Sequence, residues 1–267
     1  MKKIGLIAGN RKFPFMVARG ARKQGVSVVA VGVKGDTSAS LKGLVDKLHW
    51  VPLSQLDRMA GFFKDEGVSE VIMAGQISPW RLFSKEVQES PEIQQVLARI
   101  KDKRANSIFA ALAERLESQG LALIDSTAFV REYIPGPGQL TKRGPTQSEW
   151  EDIHFGMDLA HKVAALDIGL SVAVKQKAIL AVEALEGTDN LIRRAGTLSS
   201  GGAVIAKAAR PDQDMRFDIP VIGLATVQTL IRTKGCCLAI EANKTLFIDM
   251  EETLALADRY GKVIVAV

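Results

Sequence analysis

Short runs of continuously apolar residues alternate with segments whose apolar residues recur at helical spacing, and this alternation constrains the chain more than any other feature. In the N-terminal half, Ile4 to Ala8, Val26 to Gly32, Leu48 to Leu53, Val68 to Ala74 and Leu121 to Asp125 read as strands. Between them, Phe13 to Gln24, Leu56 to Glu66 and Pro91 to Ser118 read as helices, the last with Ile108, Leu112 and Leu116 on one side. A strand that is apolar throughout must be covered on both faces, which crossover helices between parallel strands achieve. The expectation is therefore an α/β protein whose N-terminal domain is a Rossmann-like parallel sheet.

The alternation is interrupted once. Ile134-Pro135-Gly136-Pro137-Gly138-Gln139, continuing to Gly144-Pro145, is too rich in Pro and Gly for a helix or a sheet ladder to persist. This places a domain over 1–133, a linker over 134–147 and a second domain over 148–267. The second begins with a helix from Ser148 to Ala165, for which Ser148 is the expected N-cap. Strands follow at Leu170 to Lys175, Ala178 to Val182, Ala203 to Ala208, Cys237 to Glu241, Thr245 to Ile248 and Val263 to Val267. Two of these flank Gln176-Lys177 and read as a hairpin, so the C-terminal domain is expected to be mixed α/β.

Composition narrows the function classes. With 267 residues, 47% hydrophobic and 24% charged, the chain is neither disordered nor fibrous. Its only cysteines, Cys236 and Cys237, are adjacent, which excludes a disulfide framework and implies a reducing compartment. No apolar run reaches the length of a membrane span, so the protein is expected to be cytoplasmic. The net charge of +5 is scattered, densest at Lys101, Lys103 and Arg104, and aromatics make up only 6%. That argues against nucleic acid as a partner but leaves attraction to an anionic membrane surface open. His49, His154 and His161 lack metal-ligand spacing and read as structural or solvated.

Four stretches carry candidate chemistry. Gly9-Asn10 and Gly75-Gln76 each close an apolar strand, and in open α/β sheets ligands bind beyond the carboxyl ends of strands. Gly9 is followed by Asn10, Arg11, Lys12, Phe13 and Pro14, so the three-glycine dinucleotide fingerprint is absent. A third stretch runs from Ala181 to Asn190. Glu183 sits there on an apolar run, where a carboxylate needs a cation or donor, and Thr188 or Asp189 is placed to cap a helix. The fourth, Lys207 to Pro220, holds Lys207, Arg210, Asp212, Asp214, Arg216 and Asp218. If extended, it would put Asp212, Asp214, Arg216 and Asp218 on one face. Crowded carboxylates such as Asp214 and Asp218 suit Mg²⁺ or Mn²⁺, and Lys207 and Arg216 suit a phosphate.

Ile4-Gly5-Leu6-Ile7-Ala8-Gly9-Asn10 with Pro14, Val71 to Gln76, Val182 to Asp189 and Gln213 to Pro220 together resemble one family. It is the UDP-2,3-diacylglucosamine pyrophosphatases of lipid A biosynthesis that lack a metallophosphoesterase fold. The resemblance implies an N-terminal UDP-binding domain and a C-terminal domain for the acylated sugar phosphate. It implies Mg²⁺-dependent attack of water on the α-phosphorus, releasing UMP and 2,3-diacylglucosamine 1-phosphate. By the same resemblance Gly9, Asn10, Gly75 and Gln76 would contact the nucleotide, Thr188 and Asp189 would face substrate, and Asp214, Arg216 and Asp218 would serve hydrolysis. The sequence departs from the family pattern at Leu170, where an amide is usual, at Leu224, and at Lys103-Arg104, where an acidic pair is usual. These departures motivate a second reading, a non-catalytic nucleotide or lipid sensor on the same fold. Trp80, Leu82, Phe83 and Phe15 to Val17 are candidates for an apolar mouth toward acyl chains, and the inner membrane surface and a homodimer are the further partners considered.

Overall fold

An uninterrupted apolar run, Ile4 to Ala8, places β1 (Lys3–Ala8) at the centre of the first sheet. In this computed structural model residues 2–78, 81, 84–98, 105–217 and 219–267 are described. Lys101, Lys103, Arg104, Trp80, Leu82, Phe83 and Asp218, singled out above, lie outside them. The chain divides into two compact units, Met1–Arg131 with Asp214–Asp218, and Glu132–Gln213 with Ile219–Val267.

The first unit runs β1, α1 (Phe13–Lys23), β2 (Ser27–Val33), β3 (Lys47–Val51), α2 (Met59–Asp65), β4 (Glu70–Ala74), α3 (Lys85–Gln88), α4 (Pro91–Leu97), α5 (Ala105–Ser118) and β5 (Ala122–Leu123). Its five strands are all parallel, in the order β3-β2-β1-β4-β5. The helix expected over Pro91 to Ser118 is two helices, α4 and α5. The start of the helix expected at Leu56 is a 3₁₀ segment, Leu53–Arg58. Val29, Val31, Met59, Phe63, Val71 and Leu116 fill the core, and Phe217, from far along the chain, joins them at 4% exposure. Burying that ring explains why Asp214–Asp218 belongs to this unit. Val17 is also fully buried, so it belongs to the core and forms no mouth.

The second unit contains β6 (Gly138–Gln139), α6 (Gln147–Ala165), β7 (Ser171–Lys175), β8 (Ala178–Val182), α7 (Thr188–Ser199), β9 (Val204–Lys207), β10 (Val221–Ile222), α8 (Leu224–Arg232), β11 (Cys237–Ile240), β12 (Leu246–Phe247), α9 (Met250–Arg259) and β13 (Val263–Ala266). Six strands form a mixed sheet ordered β6-β13-β11-β9-β7-β8, and β10 pairs with β12 separately. Successive side chains alternate between faces. Val204 and Ala206 meet Ile153 and Met157 of α6, whereas Ile205 joins Leu191 of α7, Leu230 of α8 and Ala257 of α9.

The Pro/Gly stretch expected as a linker is folded into this second unit. β6 pairs antiparallel with β13, Leu140 N donates to Ile264 O at 3.0 Å, and Ile264 N donates to Thr141 Oγ1 at 2.9 Å. An edge strand needs few of its own N–H groups, so the prolines around it do no harm. The cap of α6 is Thr146, not Ser148. Its hydroxyl accepts from Glu149 N while Glu149 accepts from Thr146 N, a reciprocal arrangement that satisfies two otherwise orphaned donors.

Candidate functional site

Three groups of polar side chains gather the residues singled out by sequence. The first lies where β1 and β4 end. The chain leaves β1 for β2 on one side and later returns to β4 on the other, so the strand order reverses at β1, the position where open sheets leave a crevice. Beyond the strands the two exits are bridged. Gly9 N donates to Ala74 O and Asn10 N to Gln76 O, both at 2.8 Å. A Cβ on Gly9 would lie 2.6 Å from Gln76 N, and one on Gly75, whose φ is +87°, would lie 2.5 Å from Asn10 O. Both glycines are thus demanded by the backbone approach itself. Gly75 and Gln76 are exposed and Asn10 is half-buried.

Behind this bridge sits Asp36, which the sequence reading missed. Its Oδ1 accepts from Ser78 N at 3.0 Å, Ser78 Oγ at 2.7 Å and Asn10 Nδ2 at 3.3 Å. Its Oδ2 meets Arg81, which also reaches Lys34 O at 2.7 Å and Glu86 at 2.6 Å. Burial alone would push the Asp36 carboxyl up, but the Ser78 and Arg81 bonds outweigh it and hold the group below its usual range. Asp36 follows β2 by three residues, so the rule that pointed to Gly9 and Gly75 would also have found it.

The second group lies in the second unit, where β9 ends at Lys207. Lys207 Nζ donates to Thr188 Oγ1 at 2.9 Å and Ser171 Oγ at 3.2 Å, and lies 3.7 Å from Glu183 Oε2. Thr188 Oγ1 donates to Glu183 Oε1 at 2.9 Å. Lys207 is 4% and Glu183 8% exposed, so the pairing answers the cost of burying either charge. Glu183 Oε2 is buried without a hydrogen-bond partner. Sequence had singled out Glu183 and Thr188 in one stretch and Lys207 in another, and the fold brings them together; Ser171 was missed. Neither Thr188 nor Asp189 caps α7 as expected. Gly187 holds the cap position, leaving Thr188 free to turn toward Lys207, with Asp189 half-exposed in the first turn.

The third group is Asp214 and Arg216. The extended, one-faced arrangement expected for Asp212 to Asp218 does not form, because the described residues here make turns. Phe217 N donates to Asp214 O at 3.2 Å and Arg216 N to Asp214 Oδ1 at 3.0 Å, a local turn of the kind Asp favours. The turn folds Arg216 back onto Asp214, with Nε 3.0 Å from Oδ1 and Nη2 2.8 Å from Oδ2, while Nη1 reaches Glu117 at 2.6 Å. The Arg216 bonds hold the Asp214 carboxyl below its usual range. Ser126 anchors the turn, donating to Met215 O through N at 2.9 Å and Oγ at 2.7 Å.

As a divalent-cation site this arrangement fits poorly. Both Asp214 oxygens face a guanidinium, and among the described residues no group of three His, Cys, Asp or Glu side chains is placed to hold a metal ion. A pocket of about 440 Å³ in the second unit, lined by Glu149, Asp152, Lys175 and Cys236 among others, includes no member of the three groups. Burial and then nearby Glu149 push the Cys236 thiol up to about 12, which removes it as a nucleophile at neutral pH.

Fold and site together define a class, an α/β protein of two units in which charged and amide groups collect where strands end. The LpxI N-terminal domain family matches residues 3–133 and the LpxI C-terminal domain family residues 136–265, so the chain belongs to the LpxI family. It is 28% identical over 279 aligned residues to the UDP-2,3-diacylglucosamine pyrophosphatase LpxI of Caulobacter vibrioides, covering 100% of this chain and 98% of that one. Among solved structures, the biotin carboxylase domain of a thermophilic 2-oxoglutarate carboxylase aligns with 76% of this chain and 43% of that one, at 13% identity and a TM-score of 0.29. N5-carboxyaminoimidazole ribonucleotide synthetase from Thermotoga maritima aligns with 70% of this chain and 43% of that one, at 22% identity and a TM-score of 0.25. This chain thus spans less than half of either protein, and likeness at that level carries no argument.

Proposed function

We propose that the protein hydrolyses the pyrophosphate of UDP-2,3-diacylglucosamine to UMP and 2,3-diacylglucosamine 1-phosphate, a step of lipid A biosynthesis. The observation that carries the reading is end-to-end correspondence with the Caulobacter pyrophosphatase, through both LpxI domains. The nucleotide is assigned to the exits of β1 and β4, where Gly9, Asn10, Gly75 and Gln76 present backbone and amide groups. The acylated sugar phosphate is assigned to Thr188, Asp189 and Glu183 with Lys207, whose ammonium suits a phosphoryl oxygen. Asp214, held in place by Arg216, is assigned to orienting the water that attacks the α-phosphorus, and Arg216 to the charge developing on its oxygens. Asp218 is retained as a further catalytic candidate from the sequence alone.

Dependence on Mg²⁺ or Mn²⁺ is part of the proposal. Its support is the acidic composition around Asp214, not the pairing of that side chain. A divalent ion would neutralise diphosphate charge when bound. Cytoplasmic location with peripheral contact at the inner membrane follows from a substrate that carries acyl chains. The net charge of +5 and the exposed Leu166, Ile168 and Leu185 support that contact, and among the described residues no helix is long and apolar enough to cross a membrane. The alternative, a sensor that binds without turnover, draws on Leu170 and Leu224.

The deciding experiment incubates the full chain with UDP-2,3-diacylglucosamine, with Mg²⁺, with Mn²⁺ and with chelator, and follows UMP. Release of UMP is the expected result. Folded protein at micromolar concentration that releases none under any condition, yet binds UMP, would favour the sensor.

A further inference from the structure

Three loops of the first unit meet on one carboxylate. Asn10 comes from the loop after β1, Asp36 from the loop after β2, and Ser78 and Arg81 from the chain after β4. The Asp36 side chain is wholly buried and that of Arg81 is 9% exposed. Burying such a pair rarely adds stability over an apolar pair of the same size, so its value lies in what it orients. An ionised carboxylate only accepts hydrogen bonds. The Asn10 amide must therefore turn Nδ2 toward Asp36, where it also reaches Ser78 Oγ at 3.2 Å, and its Oδ1 is directed elsewhere. That oxygen is buried without a hydrogen-bond partner, an arrangement that would relax if the amide were free to flip.

We infer that Asp36 is a positioning residue for nucleotide recognition: it fixes the Asn10 amide and the segment from Gln76 to Ser78 in one orientation, without touching the ligand. The inference rests on the proposal that the nucleotide binds at these strand exits. Replacing Asp36 by Asn supplies a donor as well as an acceptor, so the Asn10 amide loses its enforced direction, while Arg81 keeps Glu86 as its counter-charge. Replacing Ser78 by Ala removes the hydroxyl shared by Asn10 and Asp36, whereas Thr keeps it.

The test measures UMP binding by calorimetry and steady-state kinetics on the full chain for wild type, Asp36→Asn, Ser78→Ala and Ser78→Thr. Asp36→Asn and Ser78→Ala are expected to weaken UMP binding roughly tenfold, or ~1.4 kcal/mol. KM should rise by a similar factor while kcat stays within about twofold, the pattern of lost binding common to ground and transition states. Ser78→Thr should restore affinity to within about twofold of wild type. Unchanged UMP affinity in folded Asp36→Asn and Ser78→Ala overturns the inference and leaves the proposed nucleotide site standing. If Asp36→Asn does not fold, unchanged affinity in Ser78→Ala alone overturns it. Wild-type protein that fails to bind UMP at millimolar concentration overturns the nucleotide assignment and this inference with it.

Discussion

Arg216 meets Asp214 through its backbone N, Nε and Nη2, so the carboxylate stays charged well into the acid range while its reach toward other cations is reduced. If this carboxylate orients the attacking water, Asp214→Ala should lower kcat/KM about 100-fold or more. Arg216→Gln tests the pairing separately. Its loss lets the Asp214 carboxyl return toward the ordinary range, so the acid limb of the kcat/KM profile should move to higher pH, as UMP release across pH will read. An acid limb that does not move would assign the limb to another group.

At the scale of elements, two devices stand out in the second unit. The β7–β8 hairpin turns at Gln176 and Lys177, with φ of 51° and 58°, conformations usually left to Gly or Asn. Asp152 of α6 holds the turn, accepting from Gln176 N at 2.8 Å and Lys177 N at 2.7 Å while only 7% exposed. Asp152→Ala strands two donors and should cost about 2–3 kcal/mol, read as a lower urea midpoint with an unchanged m-value.

The start of α6 is pH-sensitive. Burial raises the Glu149 carboxyl, but hydrogen bonds from Arg143 at 2.8 and 2.9 Å and from Thr146 N dominate, and it falls from 4.5 to about 2. Because the folded value is the lower, the unfolded chain binds more protons between those two values. The stabilisation is therefore complete above about 4.5 and fades as pH falls toward 2. Solvent screening at this partly exposed site leaves about 1–2 kcal/mol of it. Stability of Glu149→Gln relative to wild type should show a deficit at pH 7 that closes over this window. Thermal melts at stepped pH will measure it.

At the scale of the whole molecule, the chain lends Asp214–Asp218 to a unit otherwise built from residues 1–131. Phe217 fills a place in that unit's core, so Phe217→Ala in the full chain should destabilise it by about 3–5 kcal/mol. A fragment ending at residue 131 lacks the ring altogether and should unfold at lower urea than the same unit within the full chain. Equal midpoints would show that the ring adds nothing.

Much of this architecture was legible beforehand. Apolar runs such as Ile4 to Ala8 and Ala203 to Ala208 mark strands because a continuous run can be satisfied only by cover on both faces, and that is a local property of the sequence. The same runs located Gly9 and Gly75 at strand ends, and order along the chain located the hairpin at Gln176-Lys177. What local pattern could not decide was which distant residues meet. The strand-end rule could locate Asp36 beyond β2, but which groups it holds is decided only when β1, β2 and β4 lie side by side, and Lys207, Glu183, Thr188 and Ser171 come together only through pairing of β7 with β9 and the seating of α7. Nor could spacing foresee that Asp214 would be bound by its near neighbour Arg216 in a turn. Periodicity is set by each residue's immediate backbone, whereas charge pairing is set by burial, and burial exists only once the chain has folded.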